Sequence, residues 1–243
     1  MNTDFNCWLL DVDKFRSLES YDEYQAIFSR HAVQDIELLC ASGIKRLVSF
    51  VDYNDKYPVS ATLELIKQRK QIINKFIPAK IRRGIKIDIY PRVKLSESSP
   101  YISGIHRFSP KGTNYLFLAC PSVCADFYEL DEALNKILYS CKLIPIFTEF
   151  DTCTSIYDQT FIDKLLNIKS AVFQFSLSND LTTKSVKLIK KMINNENVVI
   201  FGTCCQHYDF NLNTINGNVC KLKKELGESD YLKMMLKIYR FLR

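Results

Sequence analysis

The 243-residue chain is 47% hydrophobic and 25% charged, with only seven glycines and seven prolines; this excludes a disordered or fibrous protein and is enough for one sizeable core. Its net charge of +6 is spread along the chain, with one modest basic cluster at Lys80, Arg82, Arg83 and Lys86 and no interleaved aromatic residues, so a nucleic-acid face is disfavoured. Nine cysteines, an amino terminus with no basic segment leading into a long apolar run, and apolar runs well short of the roughly 18 residues of a bilayer span give the expectation of a reduced, cytoplasmic chain without a membrane span.

Taken in order, Cys7–Val12 (CWLLDV) predicts a first buried strand, with Asp11 and Asp13 near its carboxyl end. Their i, i+2 spacing puts both carboxylates on one side of a strand, where their oxygens suit a hard cation such as Mg or Mn. Aspartates that cap a turn or a helix start are the other reading, and both stay open. Across Tyr21–Ser42 apolar residues recur near helical spacing and Gly43 supplies a stop, so one helix or a broken pair is expected, with His31 as an ordinary helix histidine. Ile44–Val51 is the next strand and leads to Asp52, Ser60–Phe76 is an amphipathic helix, and Gly84–Tyr90 alternates like a half-buried strand. The prolines from Pro91 to Lys111 predict a long rim loop that carries His106 on its surface.

Asn114–Cys120 reads as a strand and Phe127–Cys141 as a helix. In Lys142–Cys153 (KLIPIFTEFDTC), Leu143, Ile144, Ile146 and Phe147 make a buried strand whose carboxyl end presents Thr148, Glu149 and Asp151. Phe161–Ile168 is a helix, Ala171–Leu177 a strand, and Thr182–Asn194 a helix capped by Thr182 or Asp180. Asn197–Phe201 is the last strand and runs into Gly202–His207; Ser229–Arg243 is a closing helix whose apolar stripe is expected on the barrel, with an oligomer built through it left open. Strands alternating with helices predict an α/β fold, and 243 residues is an ordinary length for one α/β barrel, in which the carboxyl ends of the strands form the active-site rim. No linker, low-complexity tract or repeat divides residues 1–243, so a single domain is expected. Glycine-rich nucleotide loops, a nucleophile elbow and a Cys-x5-Arg phosphate loop are absent, and Cys204-Cys205 and Cys120-x-x-x-Cys124 are not zinc-finger spacings.

In element order the chain resembles the PHP-domain family, and within it the CpsB-type bacterial tyrosine-protein phosphatases. Pro145-Ile146-Phe147 is similar to the core of that family's G-x-x-P-I-L-A-H-P-E-R-Y strand, and Asn114–Pro121 to its Y-L-L-I-E-F-P strand. The resemblance implies a distorted TIM-like (β/α) barrel of PHP type and a capsular polysaccharide setting. It further implies a phosphatase in which two or three metal ions, held mainly by histidines, activate water and clamp the phosphate.

At the family's ligand positions this chain departs from the pattern. Asp11 and Asp13 stand where the family has His-x-His, Asp52 where it has a His, Lys86 where it has the Glu of Gly-x-Glu, and Ala119 where it has a Glu. Glu149 replaces a His, Thr152 an Arg, and Cys205 an Asp, while His207 keeps its His. The candidate metal ligands are therefore Asp11, Asp13, Asp52, Glu149, Cys205 and His207, with His207 also the candidate catalytic base. Lys86 and the missing Glu at 119 work against a metal cluster, because a fixed cation beside divalent ions costs Coulomb energy. The expectation is a pseudophosphatase with no resident cofactor that binds a protein partner or a small anionic ligand at the rim. The alternative is a metal-dependent phosphoesterase with an altered, carboxylate-rich site that takes Mn or Mg rather than Zn.

Overall fold

A computed structural model describes residues 3–5, 33–34, 36–41, 43–121, 126–177, 181–203 and 212–241. Among them the strands are β1 (Thr3–Phe5), β2 (Arg46–Asp52), β3 (Lys86–Lys94), β4 (Tyr115–Ala119), β5 (Ile144–Thr148), β6 (Val172–Ser176) and β7 (Val198–Gly202). They pair in sequence order, each parallel to the next. Parallel neighbours in consecutive order need a crossover between each pair. The helices are α1 (residues 36–41), α2 (Val59–Phe76), α3 (Ala79–Arg82), α4 (Phe127–Asn135), α5 (Phe150–Ile156), α6 (Gln159–Leu166), α7 (Thr183–Asn194), α8 (Leu212–Leu226) and α9 (Glu228–Phe241). β1 comes up against β7 without a ladder between them among the described residues, so the sheet curls toward a barrel and is not closed. The expected α/β barrel is thus present as a curled parallel sheet.

A strand buried on both faces reads as a continuous apolar run, and β6 (VFQFS) is buried at every position. One face of β2 and β3 packs Leu47, Val51, Ile87 and Ile89 against Ile36 and Leu39 of α1 and Ile66 and Ile73 of α2. The larger core joins the rest of the sheet to α4 through α9. Phe147, Phe150 and Phe173 form its aromatic centre, with ring centroids 5.4 Å apart for Phe147 and Phe173 and 4.7 Å apart for Phe150 and Phe173.

The caps follow local chemistry. The Thr182 hydroxyl accepts the Ser185 N–H at 3.1 Å, as expected for α7, and Val186, Ile189, Met192 and Ile193 of that helix are buried. Asp158 caps α6 by accepting the Phe161 N–H at 2.8 Å.

Several boundaries differ from the sequence reading. β3 does not end at Tyr90 but runs through Pro91 to Lys94, which shortens the expected rim loop. Proline is tolerated there because the β3–β4 ladder begins only at Arg92, leaving the position without a donor requirement toward β4. In Lys142–Cys153 the strand is β5, ending at Thr148, and Asp151, expected at the strand's carboxyl end, lies with Thr152 on α5, which starts at Phe150. The Phe127–Cys141 helix is α4 followed by a π-helical turn over Lys136–Ser140. α8 was not expected, although Ile215, Leu222 and Leu226 bury one face of it. The Cys7–Val12 strand and most of the Tyr21–Ser42 helix lie outside the described residues.

Candidate functional site

Residues paired across a parallel ladder point to the same face, so register places side chains in layers. Asp52, the last residue of β2, pairs with Arg92, Arg92 with Phe117, and Phe117 with Ile146, a layer two residues short of the carboxyl ends of β3 to β5. The next layer on that face brings Ala119 beside Thr148. Gln174 and Ser176 follow Val172, the partner of Ile146, on the same side of β6. Thr148, Gln174 and Ser176 are all buried, so the carboxyl end of the sheet carries a polar layer over an apolar one.

Arg92 is the centre of this layer. Its side chain is only 6% exposed, and its guanidinium takes Asp52 in a two-pronged pair, Nε to Oδ1 at 2.6 Å and Nη2 to Oδ2 at 3.0 Å. Nη1 reaches the Glu149 carboxylate at 3.1 Å and the Thr148 hydroxyl at 3.4 Å. Thr148 in turn donates to the Leu118 carbonyl at 3.1 Å, which holds its oxygen toward the arginine. The planar fork of a guanidinium matches a carboxylate in this way, and such charge-assisted bonds are about twice as strong as neutral ones. Burial pulls the Arg92 guanidinium toward losing its proton, but the hydrogen bond and charge of Asp52, joined by Glu149, hold it above the ordinary arginine value.

Glu149 reaches Arg92 from a constrained backbone. At φ 52° and ψ 42° it sits in the left-handed region, at the amino end of α5. The Gln174 side chain holds it there by accepting the Glu149 N–H at 2.7 Å, while its own amide group donates to the Phe175 carbonyl at 2.9 Å. Asp151, in the first turn of α5, accepts the Ser176 N–H at 3.2 Å and ties the helix start to β6. The β5–α5 turn is therefore fixed by two bonds to β6, and this aims Glu149 at Arg92.

Of the sequence-predicted ligands, Asp52 and Glu149 are described and come together on the same guanidinium. Asp11, Asp13, Cys205 and His207 lie outside the described residues. Ala119 stands at the rim layer beside Thr148 and offers no ligand atom. His106 is an exposed residue of a 3-10 turn. Lys86 requires correction. It begins β3 at the amino end and contacts Asp88 at 3.2 Å, beside Arg46 at 2.9 Å. Six residue steps of strand separate it from Arg92, about 20 Å along the sheet, so it cannot oppose a cation at the rim.

The functional residue that sequence reading missed is Arg92. The signal was present in the alternation of Ile87, Ile89 and Val93, which continues the strand across Pro91 and puts Arg92 on the Asp88–Tyr90 face. A divalent cation on Asp52 and Glu149 would lie about 4 Å from the guanidinium. At an effective dielectric near 20 that repulsion is of order 8 kcal/mol. The described residues therefore do not fit a metal at this position, and no group of three or more His, Cys, Asp or Glu that could hold one occurs among them.

These features define a class: a curled parallel α/β sheet whose polar carboxyl-end layer is built around a buried ion-paired arginine. No protein-family model matches the chain, and no curated protein matches its sequence. Within its fold class the chain is similar to a solved structure from the work on YwqE from Bacillus subtilis and CpsB from Streptococcus pneumoniae, described as unique metal-dependent tyrosine phosphatases, at a TM-score of 0.61 and 16% identity. The likeness covers 97% of this chain and 92% of that one. At this identity what is shared is the fold, and the expected relationship to CpsB-type architecture holds at that level. Among the described residues, no helix is long and apolar enough to cross a membrane.

Proposed function

We propose that this chain is a non-catalytic barrel of PHP type, a single domain over residues 1–243, that acts by binding a protein partner or a small anionic ligand at its carboxyl-end rim in the cytoplasm. The observation that carries the reading is the Arg92 clamp: the two described carboxylates at family ligand positions already neutralise a buried internal cation. Arg92 takes the place that a metal would need, and Ala119 removes a further oxygen donor from the same rim. A phosphatase that depends on ions to activate water has no use for a fixed guanidinium bound to its ligands. The carboxylate-rich phosphoesterase would require Asp52 and Glu149 to be open to an ion, and both face Arg92 instead.

The experiment is hydrolysis of a phosphotyrosine peptide by purified full-length chain loaded with Mn, Mg or Zn. The expected result is no metal-dependent turnover above that of a heat-inactivated control. Metal-dependent turnover that is lost in Asp52→Ala and in Glu149→Ala would overturn the proposal.

A further inference from the structure

On the helical layer, away from the Arg92 cluster, the end of α5, the start of α6 and α7 from Thr183 to Lys191 enclose a half-open cavity of about 630 Å³. Its floor is apolar: Tyr157, Ile162 and Leu188 line it. The Tyr157 ring is fixed from both ends, by its hydroxyl donating to the Pro121 carbonyl at 3.3 Å and by packing 4.8 Å from the Phe161 ring. One wall is cationic. Lys184, Lys187 and Lys191 line the cavity at i, i+3 and i+7 of α7, a single helical face.

The outer two of these lysines close the ends of the cavity. Lys184 donates to the Thr154 carbonyl at 3.2 Å, and Lys191 pairs with Asp163 at 2.7 Å, where the lysine and Gln159 hold the Asp163 carboxyl below its usual range. Lys187, between them, makes no hydrogen bond or ion pair among the described residues. Asp158, the acidic residue of the lining, already caps α6. An apolar floor of this size with a cation at one wall has the composition of a small-ligand site, in which apolar lining supplies area and one charged group fixes orientation.

We propose that this cavity binds a small amphipathic organic anion, with its apolar body on Tyr157, Ile162 and Leu188 and its single anionic group on the Lys187 ammonium. The proposal goes beyond the rim function and stands independently of it.

The test is a fluorescence titration of the full-length chain with 8-anilino-1-naphthalenesulfonate, an aromatic sulfonate, at low salt. The expected result is one molecule bound per chain. Reversing the central charge in Lys187→Glu weakens binding about thirtyfold, because a unit charge a few ångströms away is worth about 1 kcal/mol even in water and reversal doubles it. Lys190→Glu, a change of the same charge on α7 outside the cavity lining, leaves binding within about twofold. Lys187 is exposed, so folding is retained; circular dichroism checks this, and Lys187→Met supplies a neutral variant of intermediate affinity. Equal affinity in Lys187→Glu and the wild-type chain overturns the proposal, as does equal weakening by Lys190→Glu. Displacement of the probe by inorganic sulfate as readily as by octanesulfonate also overturns it, since only charge would then be recognised.

Discussion

Removing the two sides of the Arg92 cluster should have very different effects. In Asp52→Ala/Glu149→Ala a guanidinium whose side chain is 6% exposed loses both the Asp52 and the Glu149 carboxylate. Stranding one partner of a buried ion pair costs about 3 to 5 kcal/mol. In Arg92→Met the groups left behind are carboxylates that are 59% and 34% exposed, and water can solvate them while methionine fills the volume of the arginine stem. Removing one partner of a buried pair is costly where the charge left behind stays buried, and here both remaining carboxylates are open to water, so the expected cost is about 1 kcal/mol. Urea unfolding of the three proteins at pH 7 measures both, with the midpoint falling several-fold further for the double variant and the slope unchanged. If Arg92→Met lost as much stability as the double variant, Arg92 would be acting through packing, and the account of the cluster as a neutralised cation would be wrong.

Gln174→Leu removes the acceptor for the Glu149 N–H in a fully buried position, so about 1 to 3 kcal/mol of stability should be lost in the same unfolding assay. Gln174→Glu, which keeps an acceptor there, should differ from the leucine variant by retaining the Glu149 geometry, seen as an unshifted Glu149 amide resonance. Phe173→Ala opens a cavity between Phe147 and Phe150 and should cost about 3 to 5 kcal/mol, read from the same urea midpoint. The Cys120 thiol is held well above the usual thiol range by its hydrogen bond with Cys153, then by burial and by the charge of that neighbour. Because the folded chain holds this proton more tightly than the unfolded one, the contribution is full below the ordinary thiol pKa of about 8.5 and is lost as pH rises past it. Peptide-resolved alkylation at pH 8 should therefore label exposed Cys220 much faster than Cys120, and comparable rates would contradict this.

Much of the fold was legible because burial leaves a period in the sequence. The apolar cluster before Thr148, the alternation in β3 and the Thr182 cap of α7 each encode their element locally. What was not legible depended on partners far along the chain. Pro91 reads as a strand breaker until the stagger of β4 frees its position, and with the strand cut short Arg92 was taken into a loop. Its partners lie 40 residues before it and 56 after it, so no local pattern announces the clamp. Lys86 was assigned to the rim by motif count, whereas the length of β3 sets it at the opposite end of the sheet. Asp52 and Glu149, expected as metal ligands, both reach the Arg92 guanidinium, and the arginine between them was not expected. α8 was missed although Ile215, Leu222 and Leu226 recur at helical spacing, because polar asparagines and lysines fill the positions between them.

Arg92 in the position of a cation between Asp52 and Glu149 should leave no room for a metal ion there, which elemental analysis reads out. The wild-type chain and Arg92→Met are purified without chelator, incubated with Mn, and passed over a desalting column before metal is counted. The expected result is that the wild-type chain retains no stoichiometric Mn that depends on Asp52 or Glu149, and that Arg92→Met retains more than the wild type. One Mn per wild-type chain, lost in Asp52→Ala, would contradict it and return Asp52 and Glu149 to the role of metal ligands.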